Sequence, residues 1–475
     1  MAEKIDKNEY VDNSKVFFDF LLHTHQWSNI TPVEYAKWLS NFNDIPDGQY
    51  IACRLLNRFL YYSDKDIKKL LVDAINDVYS QQVVLPLQLS KDFSSLPSEN
   101  EYEINEAIKR TLFIPLTPWG DPGASGLYIM RCIHNYYKPR VQSCHVSEVI
   151  DSMSAPYDRI VIVDDFVGSG EQFADFWETA EIKDGTLLRD WCCSHQIQAN
   201  YLALIGYEKT LTELESRFSD IDYDLATKIY SVFYTVGGIT TTKRVQFSNV
   251  PHVLESMPAI SFKNVLVDIT SLQHSVIMFI INILLTKIRV ARLFLSYVKP
   301  LEYLNRTPYG KYEFYSKTFP AAMIPGMAAR NKSNEVIVPF LGFDGDRLNN
   351  ILEGMDYDEV CPIIGFPSDN PYWQFESLRN CMLVLKHTAS EQKIRKCKAN
   401  SVFDALQTLD GILTDHPSRN FVLIPLGTRP HSAACAIFAS RCQNVRIIYD
   451  YAQERPVCSR GVRSATIYNV SQYLI

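Results

Sequence analysis

Residues 160–172 read IVIVDDFVGSGEQ. Ile160, Val161, Ile162 and Val163 form a β-branched run of the kind found in strands buried on both faces. The run ends on two carboxylates, Asp164 and Asp165. Gly168, Ser169 and Gly170 then turn the chain into a helical stretch that opens with Glu171 and Gln172. Open α/β sheets bind ligands at the carboxyl ends of their strands, and the unpaired amides of a helix start make an anion cradle. Two carboxylates beside a bound phosphate repel it unless sugar hydroxyls or a magnesium ion stand between them. A phosphorylated sugar satisfies both halves of the stretch. Two other readings share the pattern: a capping turn after an ordinary core strand, and a Walker B strand. The chain has no G-x-x-x-x-G-K-[ST] loop to accompany the latter.

Outward from this stretch, the pattern divides the chain in three. Residues 1–80 carry apolar side chains at three- and four-residue spacing, with Thr31-Pro32 and Ser63-Asp64 as helix starts, and predict a helical N-terminal region. Residues 81–250 alternate strand-like and helix-like runs, with strands expected at VVLPLQL, TLFIPL, RIVIVDD, NYLALIGYE and KIYSVFYTVG. Residues 255–475 repeat the alternation with NVLVDIT, VARLFLSYV, EVIVPFLGF, CPIIGFP, NFVLIPLG and VRIIYDY. The boundary is expected near 248–261, where two prolines interrupt a weakly periodic stretch. The fold class that follows is α/β, with a helical leader, a parallel-sheet domain and a second, Rossmann-like α/β domain.

IVIVDDFVGSGEQ resembles the phosphoribosyl-pyrophosphate signature of type I phosphoribosyltransferases. The resemblance implies that Asp164 and Asp165 take the ribose 2- and 3-hydroxyls, directly or through magnesium-bound substrate. It also implies that Gly168, Ser169, Gly170, Glu171 and Gln172 hold the 5-phosphate. Gln172 replaces the hydroxyl residue usual in the family. A glycine-rich loop from Thr117 to Gly126, including Gly123, Ser125 and Gly126, stands where the family holds pyrophosphate, although it contains no Arg or Lys. Lys138 and Arg140 stand where the family carries a mobile catalytic loop. The resemblance therefore implies glycosyl transfer from phosphoribosyl pyrophosphate with Mg2+ as cofactor. A long leader and a large C-terminal half are unlike a salvage enzyme and resemble the phosphoribosyltransferase-like proteins of bacterial antiphage conflict systems, including retron-associated effectors. A toxin-like effector controlled by a protein or ribonucleoprotein partner is the corresponding expectation, with a catalytically silent ribose-phosphate or nucleotide sensor as its alternative.

In the C-terminal half, Asp268, Thr270 and Ser271 follow one strand-like run, and Gly427, Thr428, Arg429 and His431 follow another. Either group could line a Rossmann-type crevice. The G-T-R-P element loosely resembles a loop of CRISPR-associated Rossmann-fold sensor domains, which implies a nucleotide-type ligand. Asp344, Asp346, Arg347, Ser368, Asp369 and Asn370 add polar groups at other strand ends, and Tyr372 and Trp373 are placed either to stack on a base or to pack an interface.

Composition narrows the remaining choices. With 475 residues, 47% of them hydrophobic, the chain can build more than one core, and a net charge of −7 argues against a broad grip on nucleic-acid backbones. Its 11 cysteines include no C-x-x-C, a pattern expected of reduced thiols without a structural zinc. The N-terminus lacks the apolar core of a signal peptide, and the most apolar window, Val276 to Leu285, is too short to span a membrane. A cytoplasmic protein without membrane contact is expected.

Overall fold

Thr31 and Ser63 do start helices. Each closes a capping box, with Glu34 and with Asp66, at the heads of helices Pro32–Ser40 and Asp64–Tyr79. The computed structural model describes residues 6–91, 97–117, 125–138, 140–150, 157–206, 208–225, 262–304, 312, 314–324, 327, 334–454 and 458–474. They form a mixed α/β protein in two compact units. One runs from Tyr62 to the end of the first sheet, and the other combines the residues up to Tyr61 with the C-terminal half. The helical leader is thus shared between the two.

The first unit is built on strands β1 (Thr111–Pro115), β2 (Gln142–Ser143), β3 (Arg159–Val167), β4 (Gln198–Gly206) and β5 (Ile221–Leu225). All pair in parallel, in the order β2-β1-β3-β4-β5. Ile160 and Ile162 of β3 share one face with Leu112, Ile114 and Tyr201, and there Phe173, Trp177, Trp191 and Leu211 bury themselves. VVLPLQL, expected as a strand, is helical, as a one-turn π segment Ser80–Val84 followed by helix Leu85–Ser90. It continues directly from the Asp64–Tyr79 helix, and a short continuous apolar run has no periodicity to tell strand from buried helix. KIYSVFYTVG and the expected boundary near 248–261 lie outside the described residues.

The second unit holds β6 (Phe262–Asp268), β7 (Val290–Tyr303), β8 (Tyr315–Lys317), β9 (Ala322–Met323), β10 (Glu335–Phe340), β11 (Glu359–Val360), β12 (Ile363–Gly365), β13 (Arg395–Cys397), β14 (Asn420–Pro425), β15 (Val445–Tyr449), β16 (Gln453–Glu454) and β17 (Ser459–Asn469). Its main sheet runs β13-β12-β10-β14-β15 in parallel, with β9 antiparallel at the edge. Counted from β10 this is the doubly wound order 3-2-1-4-5, and the strand order reverses between β10 and β14. The two strands are buried almost throughout, as continuous apolar runs predict. A second sheet, β17-β7-β6, buries only alternate residues of β7, so one of its faces is partly open.

Helix Lys7–His23 belongs to this unit. Phe17, Phe18, Phe20 and Leu21 join its core, the Arg379 guanidinium lies 4.5 Å from the centre of the Phe17 ring, and the Tyr372 hydroxyl donates to the Arg58 carbonyl at 2.8 Å. Tyr372 therefore packs within the unit. The apolar window 276–285 falls in helix His274–Thr286, whose 13 residues are mostly buried. Among the described residues no helix is long and apolar enough to cross a membrane.

Candidate functional site

In the first sheet the strand order reverses between β1 and β3, so the crevice of a doubly wound sheet opens at their carboxyl ends. Asp164 and Asp165 stand there on consecutive positions of β3, which turns their side chains to opposite faces. Asp164 is buried, at 2% exposure, and Asp165 is half-buried. Three donors surround Asp164. Oδ1 accepts from the Ser125 hydroxyl at 3.2 Å and the Asp165 amide at 2.9 Å, and Oδ2 accepts from the Tyr201 hydroxyl at 3.1 Å. Burial, with the Asp165 charge beside it, raises the Asp164 carboxyl from 3.8 to about 6, against the pull of its hydrogen bonds. Asp164 therefore ties the start of helix Ser125–Tyr136 to the end of β3, and Asp165 is the carboxylate left to meet a ligand.

The loop after β3 is fixed from below. The Thr210 hydroxyl donates to the Gly168 carbonyl at 2.7 Å. Gly170 sits at φ +83° as N-cap of helix Glu171–Thr179, and a β-carbon there would lie 2.9 Å from Thr210 Cγ2 and 3.2 Å from the Leu214 methyls. Only glycine meets both demands. Ser169, Glu171 and Gln172 are exposed at the rim, and the Ser169 hydroxyl accepts weakly from the Glu171 amide at 3.5 Å. The first-turn amides of this helix have no partner inside it and face the loop. Gly126 is needed for a different reason: a β-carbon would stand 2.4 Å from the Leu116 carbonyl oxygen, so the helix start could not close on the end of β1. Gly123, with the loop from 118 to 124, lies outside the described residues.

Lys138 and Arg140 are placed elsewhere. Gln142 of β2 pairs with Leu112 of β1, which pairs with Ile160 of β3, so Arg140 precedes the level at which β3 begins its buried run. At ~3.3 Å per residue, Arg140 and Asp164 are ~20 Å apart along the strands. Arg140 lines a depression at the amino-terminal end of the sheet with Leu112, Tyr157 and Trp191. Both cations are exposed, and neither reaches the crevice.

Two residues that the sequence did not single out, His145 and Tyr201, help to form the crevice together with Thr117, the first residue of the glycine-rich loop. Thr117, just past β1, shares a 2.7 Å hydrogen bond with His145 Nε2. Tyr201 stacks on Phe173 at 4.0 Å between ring centres while its hydroxyl reaches Asp164. Their positions follow from register, which is not written locally in the chain.

A magnesium ion fits the donor set only in part. Mg2+ takes one or two carboxylates and completes its shell with water and substrate oxygens. Asp165 can supply such a carboxylate, whereas Asp164 already holds three protein donors and is buried. In the second unit, Glu359, Cys361 and His416 offer ligand atoms within 4.8 Å of one another, although Glu359 is ion-paired with Lys393 at 2.9 Å.

The other crevice lies where β10 and β14 diverge. Gly427, Thr428 and Arg429 line it with Thr270 and Ser271. Asp268 does not: it is exposed and holds the Thr270 amide at 3.0 Å in a local turn. Asp344 caps helix Gly345–Leu352, accepting the Arg347 amide at 3.3 Å, and buried Arg347 is paired with Asp450. Asp369 is paired with buried Lys299 at 2.9 Å. His431, fully buried, receives the Thr428 amide at 3.3 Å, so its role is to cap the Arg429–Arg441 helix.

Residues 35–244 match the family PRTase-CE. The match spans under half of the chain, begins inside the helical leader and contains the whole first sheet. Together with the strand, acid pair and glycine loop at 160–172, it makes this a phosphoribosyltransferase-like domain. No curated protein matches the chain.

Proposed function

We propose that the first unit binds phosphoribosyl pyrophosphate or a closely related ribose phosphate at the carboxyl ends of β1 and β3. The observation that carries this is the half-buried Asp165 beside a loop whose backbone is locked by Gly170 and Thr210 at a helix start. Asp165 takes the ribose hydroxyls, and the amides from Ser169 to Gln172 hold the 5-phosphate. Asp164 positions Asp165 and holds Ser125 from behind. Mg2+ held by Asp165 and the substrate's own oxygens would supply positive charge to the pyrophosphate.

As a phosphoribosyltransferase, the unit breaks the anomeric C–O bond and forms a C–N bond to an incoming nitrogen, and the electron pair leaves with pyrophosphate. The resemblance to retron-associated effectors extends this reading to a cytoplasmic effector in antiphage defence, controlled by a protein or ribonucleoprotein partner. A second reading, a ribose-phosphate sensor without turnover, is favoured by one observation: Lys138 and Arg140 stand at the far end of the sheet, so neither is at hand for departing pyrophosphate.

Calorimetry with phosphoribosyl pyrophosphate and Mg2+ tests the binding itself, with saturable binding to the native chain lost in Asp165→Asn as the expected result. Equal affinity in both would end the proposal. Release of pyrophosphate in the presence of a nucleobase or nucleic-acid acceptor then separates enzyme from sensor.

A further inference from the structure

The second unit carries a cavity of about 390 Å3 at the point where the order of its main sheet reverses. Loops following β10 and β14 form its floor, and it is closed by the aromatic ends of β7, the segment at Phe314–Tyr315, and Trp373. We propose that this cavity is a second ligand site, separate from the ribose-phosphate crevice, and that it takes a single-base nucleotide.

Four kinds of observation point to that chemistry. The first is an aromatic wall: Tyr303 lies 4.8 Å from Trp373, 5.2 Å from Phe314 and 6.0 Å from Phe343, ring centre to ring centre. All four rings line the cavity and stay half-buried, whereas core aromatics of this chain such as Phe340 and Phe438 are sealed. Rings that pack tilted or edge to face and stay partly exposed along a cavity offer a planar ligand an aromatic surface. The second is the polar rim of Thr270, Ser271, Ser368, Asn400 and Thr428: four of them already donate to Asp268, the Asn370 carbonyl, Asp369 and the Ala399 carbonyl, which leaves Ser271 and the acceptor oxygens of the others to meet the edge of a base or sugar.

The third observation is charge. Arg347 and Arg429 both line the cavity, and the Arg429 Nε donates to the Leu272 carbonyl at 2.9 Å, which holds the side chain at the rim. Arg429 acts electrostatically on Tyr297 and Tyr303, which places its charge beside the aromatic wall. His274, also lining the cavity, is held neutral by burial and by the charges of Arg429 and Arg347. Arg347 is paired with Asp450 and Asp369 with Lys299, while Asp344 caps its helix, so the charge beside the aromatic wall is that of Arg429. The fourth is size, since 390 Å3 lies in the lower part of the roughly 300–1,000 Å3 of small-molecule sites and favours one base over two.

The test uses the full chain carrying Asp165→Asn, which weakens the ribose-phosphate crevice, and the Arg429 variants assign the binding that remains to the cavity. AMP, GMP, CMP and UMP are titrated calorimetrically, with adenosine and inorganic phosphate as probes of the two halves of the ligand. One-to-one binding of at least one mononucleotide is expected, at least tenfold tighter than adenosine or phosphate. Arg429→Ala should weaken it tenfold or more, and Arg429→Lys should recover part of the loss. Trp373→Phe should remove most of the ligand-induced change in tryptophan fluorescence while binding persists.

Absence of binding by all four nucleotides at 1 mM (on the order of −4 kcal/mol) overturns the proposal. So does adenosine binding as tightly as AMP, a comparison made without altering Arg429. Binding unchanged in a folded Arg429→Ala protein would also overturn it. The ribose-phosphate reading fails or stands on Asp165 in the native chain, independently of these outcomes.

Discussion

The crevice above β3 and the cavity above β10 and β14 occupy equivalent places in two doubly wound sheets but are made of different material. The first is built from backbone and carboxylate: a glycine loop, a helix start and Asp165. The second is built from rings and guanidinium groups carried by segments from Thr270 to Ser459. A backbone cradle with a carboxylate recognises a phosphate and a pair of hydroxyls. A ring wall with a fixed cation recognises a planar anion. Equivalent topology thus sets where a ligand sits, and the local chemistry sets which ligand.

The largest expected effect breaks the backbone-built side of this comparison. Gly170→Val must place a β-branched residue at φ +83° and push a methyl into Thr210 and Leu214, so it should destabilise the first unit by about 3 kcal/mol as well as remove ligand binding. Denaturant unfolding measures the loss. Gly170→Ala combined with Thr210→Ser should lose less than Gly170→Ala alone, because serine removes the methyl in the way and keeps the hydroxyl that holds Gly168. If the double variant is no better, the packing account is wrong.

Asp164→Asn sharpens the division of labour between the two carboxylates. Because the folded protein raises this carboxyl from 3.8 to about 6, it holds more protons than the unfolded chain between those values. Native stability should then decline as pH rises from about 4 to about 6 and level off above. Asn should flatten that slope, while its amide nitrogen, which cannot accept, sets a lost hydrogen bond from the Tyr201 hydroxyl against relief of the buried charge. Denaturation midpoints across that range decide it, and an unchanged slope in the variant would show that Asp164 is not its source.

Asp165→Asn leaves stability nearly untouched, since this side chain is half-buried, and should weaken binding of phosphoribosyl pyrophosphate at least tenfold, about 1.4 kcal/mol. The smallest effect belongs to Lys138→Ala/Arg140→Ala. With both cations at the other end of the sheet, affinity and turnover should change less than twofold, about 0.4 kcal/mol. A large drop in turnover from this pair would show that the segment crosses to the crevice during reaction.

What could be read from the chain follows the same division. The β3 motif, the capping boxes at Thr31 and Ser63, and the buried parallel strands were legible because their physics lies within a few consecutive residues. Tyr201 and the Thr117–His145 pair were not, since each joins the site through strand register. Lys138 and Arg140 were assigned to the crevice by their order in the sequence, which does not say at which end of a sheet a connecting segment emerges. VVLPLQL (83–89) looked like a strand because β-branched and apolar content outweighed the helix already running into it. β17 was overlooked because its burial is irregular and its residues are largely polar.

The chain begins in one unit, builds the other, and returns to the first. During synthesis, helix Lys7–His23 emerges with Phe17 and Phe20 exposed, and helix Trp373–His387, whose Arg379 and Lys386 lie over those rings, comes much later. At ~5–20 residues per second, translating Tyr62 through Leu225 alone takes roughly 10–30 s. Once Leu225 is made, the sheet that carries Asp165 can complete its own core, while the unit with the aromatic cavity still lacks its main sheet. The newborn chain therefore passes through a stage with one complete sheet and with aromatic side chains of helix Lys7–His23 still waiting for their cover, the stage at which a chaperone has most to protect.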